Sequence, residues 1–356
     1  MTYASARTGT LSRAELLALI GTQPRVPLAY LPTPLDEAPR LRSALGTNAP
    51  RILIKRDDQT GLALGGNKVR HLEYRLGDMK RKGADSLVVT NVAQSNHARL
   101  HTALASKFGL TSYIIKIPSA KDEPINGNLL LDHILGAQII EAPNNDAATI
   151  DLLLNSLIAD LEADGHIVYN VPHDPFSMIA GSIAYLGATV ELLDQLNALQ
   201  SAATHIFLAA GNSAAGLALG GKLLGAPYVV HPVSVSHDRA SIESSVCKSA
   251  NGAAELLGID IRLEPSDIVV HDEYVGERYG VPTKAGIDAI RLLGRTEALI
   301  LDPVYTAKAC SALIDQVRTG AIGPTDTVVF VHTGGLPITF AYAGEILGGL
   351  RQEENA

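Results

Sequence analysis

The chain has 356 residues, 46% of them hydrophobic and 19% charged, with a net charge of −8. This composition is ordinary for a soluble α/β protein, and the acidic balance argues against a nucleic-acid partner, because phosphate binding is carried by clustered Lys and Arg. Two cysteines, Cys247 and Cys310, are too few for a disulfide framework and form no CxxC motif, so a reducing, cytoplasmic location is the simplest expectation. No segment reads as the roughly 20 consecutive apolar residues of a membrane span, and the short apolar run Leu16–Ile20 falls below signal-peptide length.

Ser12-Arg13-Ala14-Glu15 reads as a capping box opening a short helix that stops near Gly21. From residue 51 onward, short β-rich runs alternate with helical patterns. The expected strands are Arg51–Lys55, Ser86–Thr90, Ser112–Ile117, Gln138–Glu141, Ile167–Asn170, His205–Ala209, Tyr228–Pro232 and Thr327–His332. Helix-length segments between them include Asn96–Phe108, Ala147–Ala163, Ile179–Ala198 and Thr283–Arg295. Such alternation, with nearly continuous apolar strands, predicts parallel sheets covered by helices on both faces. So many strands divide most simply between two sheets, with a site between the two units they form.

Four turns at strand ends carry chemistry. In Gly65-Gly66-Asn67-Lys68, two glycines, an amide and a lysine stand where a loop passes into a helix, a join that can hold one amine fixed. Lys68 is one of eleven lysines, most of which must be solvated surface charges. Gln94-Ser95-Asn96-His97 precedes a helix whose free N–H groups can hold a carboxylate or phosphate, although Ser95 or Asn96 equally serves as a simple cap. Ala209-Ala210-Gly211-Asn212-Ser213 follows a strand with residues small enough to wrap a phosphate, or else makes a tight packing turn. Val331-His332-Thr333-Gly334-Gly335 closes the last strand, with His332 equally at home in the core. Between the last two turns, Tyr279 and Tyr305 offer phenols for proton transfer or for packing. Neither a GxxxxGK[ST] loop, a GxGxxG unit nor an HExxH metal motif occurs, and no metal is expected.

Taken in order, these segments resemble the pyridoxal-phosphate enzymes of the tryptophan-synthase-β-like fold (fold type II). The nearest group is the D-cysteine desulfhydrase and aminocyclopropane-carboxylate deaminase family, which includes L-cysteate sulfo-lyase. The similarity runs from Pro32-Thr33-Pro34-Leu35, through Ile54-Lys55-Arg56-Asp57-Asp58 and the Lys68 turn, to Gly334. It implies a two-domain α/β architecture, residues 1–71 and 180–356 forming the large cofactor domain and residues 72–179 the small one. Lys68 is then the Schiff-base lysine, Ser95 the active-site serine and Asn96 the partner of the cofactor's phenolic oxygen. Ser95, Asn96 and His97 together would hold the substrate. Ala210, Gly211, Asn212 and Ser213 fall on the phosphate loop, Tyr279 and Tyr305 on the two active-site tyrosines, and Thr306 where a side chain meets the pyridine nitrogen. The cyclopropane-opening deaminases have Glu in place of Thr306 and Leu in place of Thr333, so the two threonines resemble the desulfhydrase side.

The resemblance therefore implies β-elimination from a small amino acid by a homodimer. Rival readings are a β-replacement synthase, an ammonia-lyase, a racemase, a non-catalytic pyridoxal-phosphate binder, or a plain nucleotide-binding α/β domain. Two departures bear on substrate: Ala209, Ala210 and Asn212 replace a glycine-rich phosphate loop, and the 172–181 stretch resembles that of dehydratases and ammonia-lyases.

Overall fold

A computed structural model describes residues 11–119 and 125–354. Its strands are β1 (Leu35–Glu37), β2 (Arg51–Lys55), β3 (Ser86–Val92), β4 (Thr111–Ile117), β5 (Gln138–Glu141), β6 (Val168–Asn170), β7 (His205–Ala209), β8 (Val229–Val233) and β9 (Thr327–Val331). The helices are α1 (Arg13–Gly21), α2 (Pro39–Leu45), α3 (Lys68–Lys82), α4 (Asn96–Phe108), α5 (Gly127–Ile134), α6 (Ala147–Ala163) and α7 (Pro175–Ala198). They continue with α8 (Asn212–Leu224), α9 (Arg239–Leu256), α10 (Lys284–Glu297), α11 (Thr306–Arg318), α12 (Leu336–Ala341) and α13 (Ala343–Glu354). Each expected strand forms, with ends displaced by at most two residues. The capping box at Ser12 and Glu15 forms as well. The short edge strand β1 gives no sequence signal, because Leu35-Asp36-Glu37 alternates too briefly to read.

Two sheets share these strands, in the orders β1-β2-β9-β7-β8 and β5-β4-β3-β6. Every pairing is parallel except that of β1 with β2. In the larger sheet Leu53 pairs with Val329, and Phe207 with Phe330. Alternate residues along these strands enter different cores. Leu53, Ile206, Leu208, Val230 and Val329 face one apolar cluster, and Ile52, Ile54, Phe207, Val328 and Phe330 the other. Burial on both faces is why these strands read as unbroken apolar runs.

Helix α7 corrects one expectation. Its 24 residues are long and apolar enough to cross a membrane, yet 72% of its most apolar window is buried inside the fold. It is a core helix, packed against α1, α3, α8 and α9, and so needs no wet face. Gly216 and Gly220 of α8 admit it closely: a Cβ on either would lie 2.4 Å from an atom of α7, the Ser182 carbonyl oxygen or the Thr189 hydroxyl.

Candidate active site

The loop ahead of Lys68 is held in an unusual shape. Ala63, Leu64, Gly65 and Gly66 all have positive φ, at 40°, 69°, 68° and 127°. For Ala63 and Leu64 such angles cost about 1–2 kcal/mol each. Gly65 has no alternative, since a Cβ there would lie 2.1 Å from the Asp58 carbonyl oxygen. Four bonds over-determine the shape. Gly66 N–H donates to Thr60 Oγ1 (2.9 Å), which donates back to the Gly66 carbonyl (2.8 Å). Asn67 N–H donates to the Thr333 carbonyl (3.0 Å), and Arg99 Nη2 to the Gly65 carbonyl (2.8 Å).

Lys68 opens α3 from this clamp, half-buried, with Nζ 5.7 Å from the centre of the Tyr305 ring. Burial lowers its pKa to about 8, Asp302 opposing and Arg99 and Arg75 adding to the shift. At pH 7 the amine is still mostly protonated, but about a tenth of it is neutral, against less than about a thousandth at its ordinary value of 10.5. The neutral form is what a nucleophile or proton acceptor requires.

The amine faces a cavity of about 400 Å³, within the size range of small-ligand sites. The turn after β7 closes one side of it, with Ala210, Gly211, Asn212 and Ser213 on the wall. Gly211 caps α8 with no side chain, so the first N–H groups of that helix keep their positive end for a ligand. Gly211 has φ 142°, and open space lies where its Cβ would be. Ser213 Oγ accepts from Asn67 Nδ2 (2.8 Å) and stands 3.1 Å from His71 Nε2.

Of the residues expected from sequence, Lys68, His97, Ala210, Gly211, Asn212, Ser213, Tyr305 and Thr333 line this one cavity. Ser95, Asn96, Tyr279 and Thr306 stand back from its wall. Ser95 caps α4, accepting from Ala98 N–H (3.1 Å), and Asn96 Oδ1 accepts from Asn128 Nδ2 (2.9 Å). The Thr306 hydroxyl donates to Asp302 Oδ2 (2.7 Å). Tyr279 is hydrogen-bonded hydroxyl to hydroxyl with Tyr305 and lines a second cavity, of about 460 Å³, with Gln94, Val304 and Tyr342. The tyrosine pair thus stands between two cavities. His332 takes its core alternative, bonding the Ile300 carbonyl (3.1 Å) and accepting from Gly334 N–H (3.2 Å). A larger cavity, about 740 Å³ between α10 and α11, contains none of these residues.

Asp302, His71 and Arg75 belong to the site's surroundings and carry no motif of their own. Asp302 is fully buried and accepts from the backbone of Val304 (2.9 Å), Tyr305 (2.7 Å) and Thr306 (3.0 Å) at the start of α11. Burial raises its pKa against those bonds. Spacing alone could have found His71 and Arg75, one and two turns beyond Lys68 on the same face of α3.

A family model for pyridoxal-phosphate-dependent enzymes matches residues 26–334. The chain belongs to that family. The D-cysteine desulfhydrases of Salmonella typhi and of Salmonella newport are each 36% identical to it over 326 residues, covering 90% of this chain and 96% of theirs. A structure titled as an ACC deaminase homologue superposes with a TM-score of 0.85 at 32% identity, covering 95% of this chain and all of the other. A threonine deaminase from Solanum lycopersicum, 17% identical with a TM-score of 0.64 over 98% of this chain and 93% of its own, shows the shared fold alone. The site of this pyridoxal-phosphate enzyme fits its cofactor. One cavity joins a desolvated lysine amine, an uncapped helix start and an aromatic wall, and Asn67 beside it keeps a buried amide oxygen without a partner.

Proposed function

We propose that this enzyme eliminates a β-substituent from a small amino acid, releasing a 2-oxo acid and ammonia. When bound, pyridoxal phosphate supplies an aldehyde for an amine and a ring that accepts electrons. The observation that carries the choice of reaction is a cavity wall without a carboxylate among the described residues. That wall offers the Thr333 hydroxyl as a partner for the ring nitrogen, and no acid on it to keep that nitrogen charged. Thr306 stands behind, its proton given to Asp302, and would reach the ring only by turning from that partner. Such a setting suits a reaction whose leaving group takes the electrons away at once. The D-cysteine desulfhydrases at 36% identity support the same reading.

Lys68 holds the cofactor and, once released, takes the substrate's α-proton. The turn Ala210–Ser213 and the start of α8 receive the phosphate, and Asn96 and Thr306 support the ring. At the start of α4, Ser95 already accepts one N–H and so keeps its hydroxyl proton for a substrate carboxylate, beside the N–H groups of Asn96 and His97. Burial raises the pKa of both Tyr279 and Tyr305, so at neutral pH these phenols donate protons and do not accept them. Standing between the two cavities, they also limit the entry of water.

Residues 1–71 and 180–356 would form the cofactor domain and 72–179 the smaller one, a division supported by the two separate sheets. A cytoplasmic homodimer follows by family analogy, and light scattering on the purified protein checks its size. The reaction itself is tested by offering D-cysteine, L-cysteate, 3-chloroalanine and 2,3-diaminopropionate and measuring 2-oxo acid and ammonia. Equimolar release from at least one is expected. A new amino acid formed with added thiol, inversion without release, or no release from any of the four would overturn the proposal.

A further inference from the structure

Helix α3 presents Lys68, His71 and Arg75 to the same cavity. Arg75 is 4% exposed and forms no ion pair among the described residues. Its Nε and Nη2 donate to the Ser177 carbonyl (3.1 and 2.7 Å), and its Nη1 lies 3.3 Å from His101 Nε2. A carbonyl and an imidazole orient the guanidinium without neutralising it. A buried charge is ordinarily paired; this one is aimed at a cavity instead.

The phosphate turn lacks charge of its own. It contains no Lys or Arg, and the Asn212 amide is committed to the Met178 carbonyl. Ser213 has a single hydroxyl proton. Its oxygen accepts from Asn67, and it also neighbours His71 Nε2 and the Tyr185 hydroxyl, whose own proton goes to Asp57. If Ser213 donated to the His71 nitrogen, it would have nothing left for a ligand. If His71 carries its proton on Nε2, Ser213 accepts from Asn67 and His71. Its own proton is then released from that nitrogen to serve an anion in the cavity it lines, in preference to the neutral Tyr185 oxygen. Gly181 makes room for the ring in this position, since a Cβ there would lie 2.8 Å from His71 Nδ1.

We propose that His71 and Arg75 anchor the cofactor's phosphate, Arg75 as its counter-charge and His71 as the positioning residue that directs the Ser213 hydroxyl to it. The inference rests on the cofactor and is independent of which reaction follows. The same guanidinium could instead receive an anionic group of the substrate, and the experiment separates the two sources.

Wild-type apoprotein is titrated with pyridoxal phosphate and with pyridoxal, which lacks the phosphate, following the visible absorbance that borohydride removes. Arg75→Met should weaken pyridoxal phosphate binding by about 10- to 100-fold, the span of a charge-assisted hydrogen bond, while pyridoxal changes by less than about threefold. His71→Phe should act in the same direction by about tenfold. Arg75→Lys, which keeps the charge and loses the fork, should fall between wild type and Arg75→Met, and it carries the test if the Met variant does not fold. Equal weakening of both ligands would show a merely structural role. Unchanged pyridoxal phosphate affinity, with a raised KM for L-cysteate relative to D-cysteine, would assign the guanidinium to the substrate. Either result overturns the proposal.

Discussion

Helix α3 buries two arginines five residues apart and surrounds them in opposite ways. Arg70 and Arg75 are 3% and 4% exposed. At about 100° per residue, Lys68, His71 and Arg75 fall within roughly 60° of one another, and Arg70, Glu73 and Gly77 lie on the other side. On that second side every charge is answered. Arg70 donates to Asp57 (3.1 and 2.8 Å) and to Glu191 (3.0 and 2.8 Å), while Lys55 and Tyr185 complete the shells of those carboxylates. Glu73 accepts from Arg25 Nε (2.9 Å) and from the N–H groups of Leu28 (2.7 Å) and Ala29 (2.9 Å). Burial works against the charge of Arg70, but Asp57 and Glu191 outweigh it and raise its pKa; for Arg75, burial wins and lowers it to about 10. Burial alone therefore does not tell a structural charge from a working one. For these two the surroundings do: Arg70 is held between carboxylates and serves architecture, whereas Arg75 has no such partner and lines the cavity, where a ligand is expected.

The sharpest break of that contrast is at Lys68. Lys68→Ala should lower turnover by about 10³-fold or more, the scale of losing a nucleophile and base together, and borohydride should then fix no cofactor to the chain. The same change removes a charge that the fold desolvates, so the melting temperature of the apoprotein should hold or rise. A fall in melting temperature, or a borohydride adduct mapping to another lysine, would place Lys68 among the structural charges.

Arg70→Met is the converse. It strands Asp57 and Glu191 without their main partner, and breaking a buried pair from one side costs about 3–5 kcal/mol. Urea unfolding of the apoprotein should show that loss, with cofactor affinity per folded molecule unchanged. If instead stability holds while affinity drops, the two faces do not divide the labour as argued.

The frame around α3 is legible in the sequence, but its division into two faces is not. Apolar strand runs and their turns located both sheets, because burial on two faces leaves a strong signal. The Gly65–Lys68 turn was readable since only glycine suits φ 68° with a carbonyl oxygen so close. Arg70 and Arg75 were not separable. Their difference lies in Asp57, 13 residues back, and Glu191, 121 residues on, and pairing at that range leaves no periodicity in one sequence. The 24-residue helix α7 likewise shows the limit of composition: a helix largely buried in protein passes the same length and apolarity test as one buried in lipid. Asp302, which faces Lys68 electrostatically, was hidden because an Asp before Pro reads first as a turn residue.

Packing on the structural face gives a smaller test. Gly77 lies against the chain at Pro24, where a Cβ would meet backbone atoms at 2.4–2.6 Å. Main chain cannot swing aside as a side chain can, so Gly77→Ala should destabilise by about 1–3 kcal/mol in thermal unfolding. It should leave cofactor affinity and KM as they are, because the displaced segment touches only the Glu73 side. Co-variation of stability and affinity here would mean that α3 transmits strain between its faces.

The finest distinction is in pH. Lys68 titrates near 8 in the folded apoprotein against an ordinary value of 10.5. Between those values the unfolded chain binds a proton that the folded chain does not, so stability contributed at this residue rises with pH there. Below about pH 8 both states are protonated and the cost of the buried charge is fully present. Lys68→Met should therefore be more stable than wild type at pH 7, with the advantage shrinking by at most about 1.4 kcal/mol per pH unit from pH 8 to 10.5, and by less where water in the cavity screens the amine. Urea unfolding of the two apoproteins at pH 7, 8, 9 and 10 measures the gap. No such window exists for Arg70, whose raised pKa keeps it charged throughout. A gap that stays constant from pH 7 to 10 would mean that the Lys68 charge is as well answered as that of Arg70, and the two faces of α3 would no longer differ in kind.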